Sequence, residues 1–209
     1  MDRRLLTLAS LLTAASLSTL NAYAQGLDLC PRSGLVIKGT NSTGDYTATT
    51  KGADPSDRSV CISVAEGPGT GINNGKAVSR IYGWYDLTNL NMTADTRSRA
   101  QAGLGAILTG QITETSFDMT LNTVGRSQPW SGVESWKRTG QTTISVGGKP
   151  TNVITLHEAF KGGANSRYDA AWDLWYDPAL HLFVKGHLTT DSGFAGRVRD
   201  FEIQSVSGP

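Results

Sequence analysis

The reactive side chains of this 209-residue sequence are few: three histidines, two cysteines and one short run in which carboxylates alternate with aromatics. His157-Glu158 begins like a zinc-protease HExxH helix, which needs a second histidine four residues on. Lys161 stands there, and the surrounding Val153 to Phe160 reads as a strand. His181 and His187 on one strand would lie about 20 Å apart, too far for one metal ion. Gly67 to Lys76 invites comparison with a phosphate-binding loop. That loop needs glycine where Thr70 stands and serine or threonine where Ala77 stands. There is no GxSxG elbow and no SxxK motif. A Ser-His-Asp site built from distant residues leaves no linear signature. The expectation is therefore no catalytic residues, no metal and no cofactor.

The run Trp172 to Asp177 is the strongest candidate for binding. On a strand, Trp172, Leu174 and Tyr176 share one face, and Asp173, Trp175 and Asp177 share the other. An exposed Trp175 between two carboxylates could stack on a sugar ring while Asp173 and Asp177 accept hydrogen bonds from hydroxyls. The competing reading has Asp177 capping the turn before Pro178, Asp173 in solvent and Trp175 packed on a neighbour. All six residues stand as candidate ligand contacts.

The first 24 residues read as an address. Arg3 and Arg4 precede an apolar run, Leu5 to Leu20, and Ala22-Tyr23-Ala24 fits a signal-peptidase site. Residues 1–24 are expected to be an export signal and residues 25–209 the exported domain, periplasmic or secreted. In an oxidising compartment Cys30 and Cys61 are expected to pair. The whole chain carries a formal charge of +1, but removing residues 1–24 leaves 17 basic and 17 acidic residues. A neutral domain offers no electrostatic case for nucleic acid. No later apolar stretch approaches membrane-spanning length.

The remaining sequence reads as strands joined by turns. Val60, Ile62 and Val64 alternate, as do Phe117, Met119 and Leu121. Ile144 and Val146 lead into Gly147-Gly148, a hairpin signal, before Val153 to Leu156. Phe201 and Ile203 share a face of a last strand, Val198 to Val206. Ala94 to Leu108 has weak helical character, lowered by Gly103 and Gly105. Closely spaced turns favour local antiparallel pairing. The expected fold is all-β: a single antiparallel domain, a curved half-barrel or a sandwich, with one disulfide.

From Trp136 to Gly186 the order of elements resembles a class of uncharacterised exported β-rich proteins of Gram-negative bacteria. The matching features are Val146-Gly147-Gly148-Lys149, Trp175-Tyr176-Asp177-Pro178-Ala179-Leu180 and Val184-Lys185. Their architecture is similar to the curved sheet of periplasmic lipoprotein carriers. The resemblance spans about a quarter of the chain and implies fold and location, not activity. A curved sheet leaves an apolar concavity, so the leading expectation is a non-catalytic protein binding a lipid-like envelope ligand. The alternatives are a structural or protein-interaction module of the envelope, and a carbohydrate-binding or carbohydrate-active protein.

Overall fold

A computed structural model describes residues 29–70, 76–82, 85–86, 90–123, 129–164, 168–192 and 199–208. Residues 1–24, read above as an export signal, lie outside these, as do residues 71–75 of the glycine-rich loop. The chain forms one antiparallel sheet. Its strands are β1 (Val36–Asn41), β2 (Gly44–Asp54), β3 (Asp57–Glu66), β4 (Lys76–Tyr82), β5 (Tyr85–Asp86) and β6 (Leu90–Met92). After helix α1 (Ala94–Thr109) follow β7 (Glu114–Thr123), β8 (Trp130–Val146), β9 (Lys149–Gly162), β10 (Asp169–Asp177), β11 (Leu182–Asp191) and β12 (Asp200–Ser207).

The spatial order is β5-β4-β3-β2-β1-β12-β11-β10-β9-β8-β7-β6. The first half of the chain is thus one meander, the second half is another, and the first and last long strands join them. The end strands β5 and β6 are only two and three residues long. Laid flat, twelve strands would span about 50 Å. Yet β5 ends at Asp86 and β6 begins at Leu90, a connection that reaches at most about 15 Å. The two edges must therefore approach each other, and the open sheet curls into a half-barrel. This is the expected curved antiparallel fold.

Local chemistry sets the turns. Between β8 and β9, Gly147 and Gly148 sit at φ 60° and 77°, the left-handed pair that a two-residue hairpin turn of matching twist requires. Asp54 Oδ1 accepts from the Ser56 N–H and hydroxyl at the β2–β3 turn. Asp177 Oδ1 accepts from the Ala179 N–H at 2.8 Å after β10.

The helix is longer and firmer than the sequence suggests. Thr93 caps its start, its side chain accepting from the Thr96 N–H, and Gly110 ends it at φ 78°. Thr96, Ala100, Gly103, Leu104, Ile107 and Leu108 make one buried face. Gly103 costs helix propensity but lets α1 approach β7: a Cβ there would meet Thr115 Cγ2 at 3.0 Å. The burial won by that approach outweighs the propensity lost. Helix residues Leu104, Ile107 and Leu108 share a core with Phe117, Met119, Trp136, Leu156, Leu174 and Tyr176. Val60 from the opposite half of the sheet joins this core. Arg97 of α1 is ion-paired with Asp57 of β3, and Arg138 of β8 donates to the Ile107 carbonyl at 3.1 Å. The sheet therefore wraps around the helix.

A second core lies beside it, around Ile37, Val146, Val153, Val184 and Ile203. The tip of the β8–β9 hairpin reaches β12 there. Cys30 and Cys61 are bonded, with Cα atoms 5.2 Å apart. The bond ties the segment before β1 to β3, as expected from the cysteine count.

Candidate functional site

The half-barrel holds a cavity of about 460 Å³ on the side where β1–β4 face the start of β11 and β12. That volume lies within the range of small-molecule sites. Its existence follows from side-chain size read across the ladder. Ala48 opposes Ala65, and Ala65 opposes Ala77. One pair along, Thr50 opposes Ser63, and Ser63 opposes Ser79. Directly opposed residues share a face, so β2, β3 and β4 present a floor of small side chains. All six line the cavity.

The walls are larger. Ile37, Ile81 and Ile203 flank the floor. Tyr46 lies over Gly39, whose added Cβ would meet the ring Cζ at 2.6 Å, and Phe201 lies over Gly186 in the same manner. Two cross-strand glycines thus let two aromatic rings lie flat along the sheet. Burial raises the Tyr46 hydroxyl above the ordinary tyrosine range, keeping it neutral. The disulfide holds Leu29 and Pro31 against the same space. Among the polar wall groups, Thr50 Oγ1 accepts from the Leu35 N–H and donates to the Arg32 carbonyl. The Thr70 hydroxyl donates to the Gly67 carbonyl. The remaining surface is mostly apolar, and among the described residues no Asp, Glu, Lys or Arg lines it.

The six residues singled out from the sequence lie elsewhere, and none lines this cavity. Leu174 and Tyr176 are buried in the first core, with Trp172 packed against it. Asp177 is only 3% exposed and caps the turn at Pro178 through the Ala179 and Leu180 N–H groups. Trp175 packs against the second core, and the Lys185 ammonium sits 5.7 Å from its ring centre. Asp173 Oδ1 lies within hydrogen-bond distance of His157 Nδ1, at 2.8 Å. The register sets His157, Asp173 and His187 side by side on β9, β10 and β11, and His187 bonds Asp200 on β12. No cluster of metal-ligating side chains occurs among the described residues. No helix among them is long and apolar enough to cross a membrane.

Composition and spacing alone missed two further features. The first is the small-residue floor, whose signal was the alternation Ala48/Thr50, Ser63/Ala65 and Ala77/Ser79 on three successive strands. The second is a pair of carboxylates in the first core. Glu134 and Glu158 are 1% and 4% exposed on adjacent strands. Burial first, then the charge of Glu134 and a hydrogen bond between the two side chains, hold the Glu158 carboxyl well above the usual carboxylate range. Its Oε2 has no hydrogen-bond partner.

No protein-family model and no curated relative matches the chain. Solved structures do. A chain described as a lipoprotein from Parabacteroides distasonis ATCC 8503 aligns with a TM-score of 0.42 and 10% identity. That alignment covers 86% of this chain and 98% of the other. The hypothetical lipoprotein YmcC from Escherichia coli K12 aligns with a TM-score of 0.52 and 10% identity, over 96% of this chain and 100% of that one. At that identity the likeness concerns the backbone alone: this chain has the overall β fold of YmcC.

Proposed function

We propose that the protein is an exported envelope protein, periplasmic or secreted, that binds an apolar or amphipathic ligand in the cavity floored by Ala48, Ala65 and Ala77. The observation that carries this reading is the floor itself. A sheet that needed only a packed core would place large side chains on its buried face, as β7 does with Phe117, Met119 and Leu121. Here three adjacent strands carry Ala, Ser and Thr, and about 460 Å³ stays open. The Cys30–Cys61 bond supports an oxidising compartment. The absence of charged side chains among the described lining residues suits a hydrocarbon better than a nucleotide or a metal complex.

Native mass spectrometry of gently purified protein should find copurifying lipid-like mass, and delipidated protein should take up a fluorescent fatty acid. Ala65→Leu fills the floor and should reduce uptake about tenfold or more, because overlapping atoms must be displaced. Trp175→Ala should leave uptake unchanged. Loss of uptake in Trp175→Ala but not in Ala65→Leu would move the site to the β10 run, where the carbohydrate reading lies. No uptake by the parent protein would leave the structural-module reading.

A further inference from the structure

One residue in the cavity wall is held unfavourably in both backbone and side chain. His181, in the turn between β10 and β11, is the non-glycine residue with positive φ among those described, at 55°. A Cβ disfavours that region, and such outliers persist where their surroundings over-determine them. Asp177, four residues before, holds the turn through the Ala179 and Leu180 N–H groups. The His181 Nδ1 is sealed from solvent and has no hydrogen-bond partner, a state that folded proteins generally avoid. The same side chain lines the cavity beside Leu182 and Phe183.

Hydrogen-bonding capacity decides what could meet it. Among the described lining residues, His181 is the side chain with a ring N–H to offer a ligand. Among the described lining residues no carboxylate opposes an anion, and none would neutralise a cation.

We propose that His181 is the head-group contact of this cavity, and that its ligand is an acyl chain ending in a carboxylate. The chain lies over the Ala48–Ala65–Ala77 floor, and the carboxylate accepts a hydrogen bond from the imidazole Nε2–H, the ring nitrogen that is not sealed. Imidazole has an N–H to donate in either protonation state. This rests on the cavity being the binding site, and the test separates the two ideas.

Palmitate and methyl palmitate are titrated into the full delipidated protein by displacement of a fluorescent fatty acid. The two share the chain and differ in the charged head. The parent protein should prefer the acid by about tenfold, the worth of one charge-assisted hydrogen bond. His181→Gly relieves the positive φ, so it should fold at least as well as the parent, checked by thermal melting. It should bring the acid-to-ester ratio to about one while ester affinity stays within about twofold. His181→Asn, which tolerates the left-handed backbone and keeps a donor, should retain a preference for the acid. Equal binding of acid and ester by the parent, or an unchanged preference in His181→Gly, overturns the head-group role and leaves the cavity reading standing. Binding of neither probe overturns the cavity reading and this proposal together.

Discussion

Glu134 and Glu158 set the pH response of the core. Two carboxyls this deeply buried cannot both ionise at reasonable cost, so they share a proton. The folded-state pKa of Glu158 lies above its unfolded value of about 4.3. Its contribution to stability is therefore fully present below that unfolded value. It is lost as pH rises through the folded pKa. Melting curves between pH 4 and pH 9 should show the parent losing stability with rising pH relative to Glu158→Gln, which is neutral and keeps a donor for Glu134. A parallel pH dependence in the two proteins would contradict the shared proton. Neither carboxylate stood out in the sequence as a buried group, because alternation marks a face without saying whether water reaches it. His157 is the converse case. Its spacing excluded a helical zinc site, and its placement on a strand followed from the same residues, but its position beside Asp173 needed the β9–β10 register. Asp177 as a turn cap was readable from the proline that follows it.

Strands and hairpins were the most readable elements, since alternation and turn glycines are local signals. The β8–β9 turn at Gly147-Gly148 and the β10–β11 turn at Asp177 both lie where those signals stand. Helix α1 was harder, because Gly103 weakens its propensity and the compensating contact with Thr115 lies outside any local window. What the hairpin tip touches was likewise hidden. Gly147 rests on β12, where an added Cβ would meet the Gln204 carbonyl at 2.7 Å, whereas one on Gly148 would meet nothing within 4 Å. Both have left-handed φ, so alanine at either position carries the same backbone strain, about 1 kcal/mol. Gly147→Ala must in addition push the tip off β12, costing about 1–3 kcal/mol more. The unfolding free energies of the two variants, read from denaturant titrations, should differ by that amount and the midpoints should shift with them. Equal midpoints would mean that the tip does not dock.

Closure of the sheet links stability to the cavity. The pairing of β1 with β12 joins the two meanders, and no local pattern in either strand announces a partner more than 150 residues away. The disulfide, by contrast, was readable from the cysteine count and the expected export signal. It encloses a separation of 31 residues, a loop whose cross-link stabilises a fold by about 3–4 kcal/mol in the chain-entropy model. It also anchors Leu29 and Pro31, which form part of the cavity wall on the β3 side. These two roles predict different readouts for one change. Cys30→Ser with Cys61→Ser should lower the unfolding free energy by about 3 kcal/mol. At a temperature where the variant is still fully folded, it should also bind the fluorescent fatty acid more weakly, because a released wall must be reordered when ligand enters. Weaker folding with unchanged ligand affinity would assign the bond to stability alone, and the cavity would then be held by the ladder of β1 to β4 without help from the segment before it.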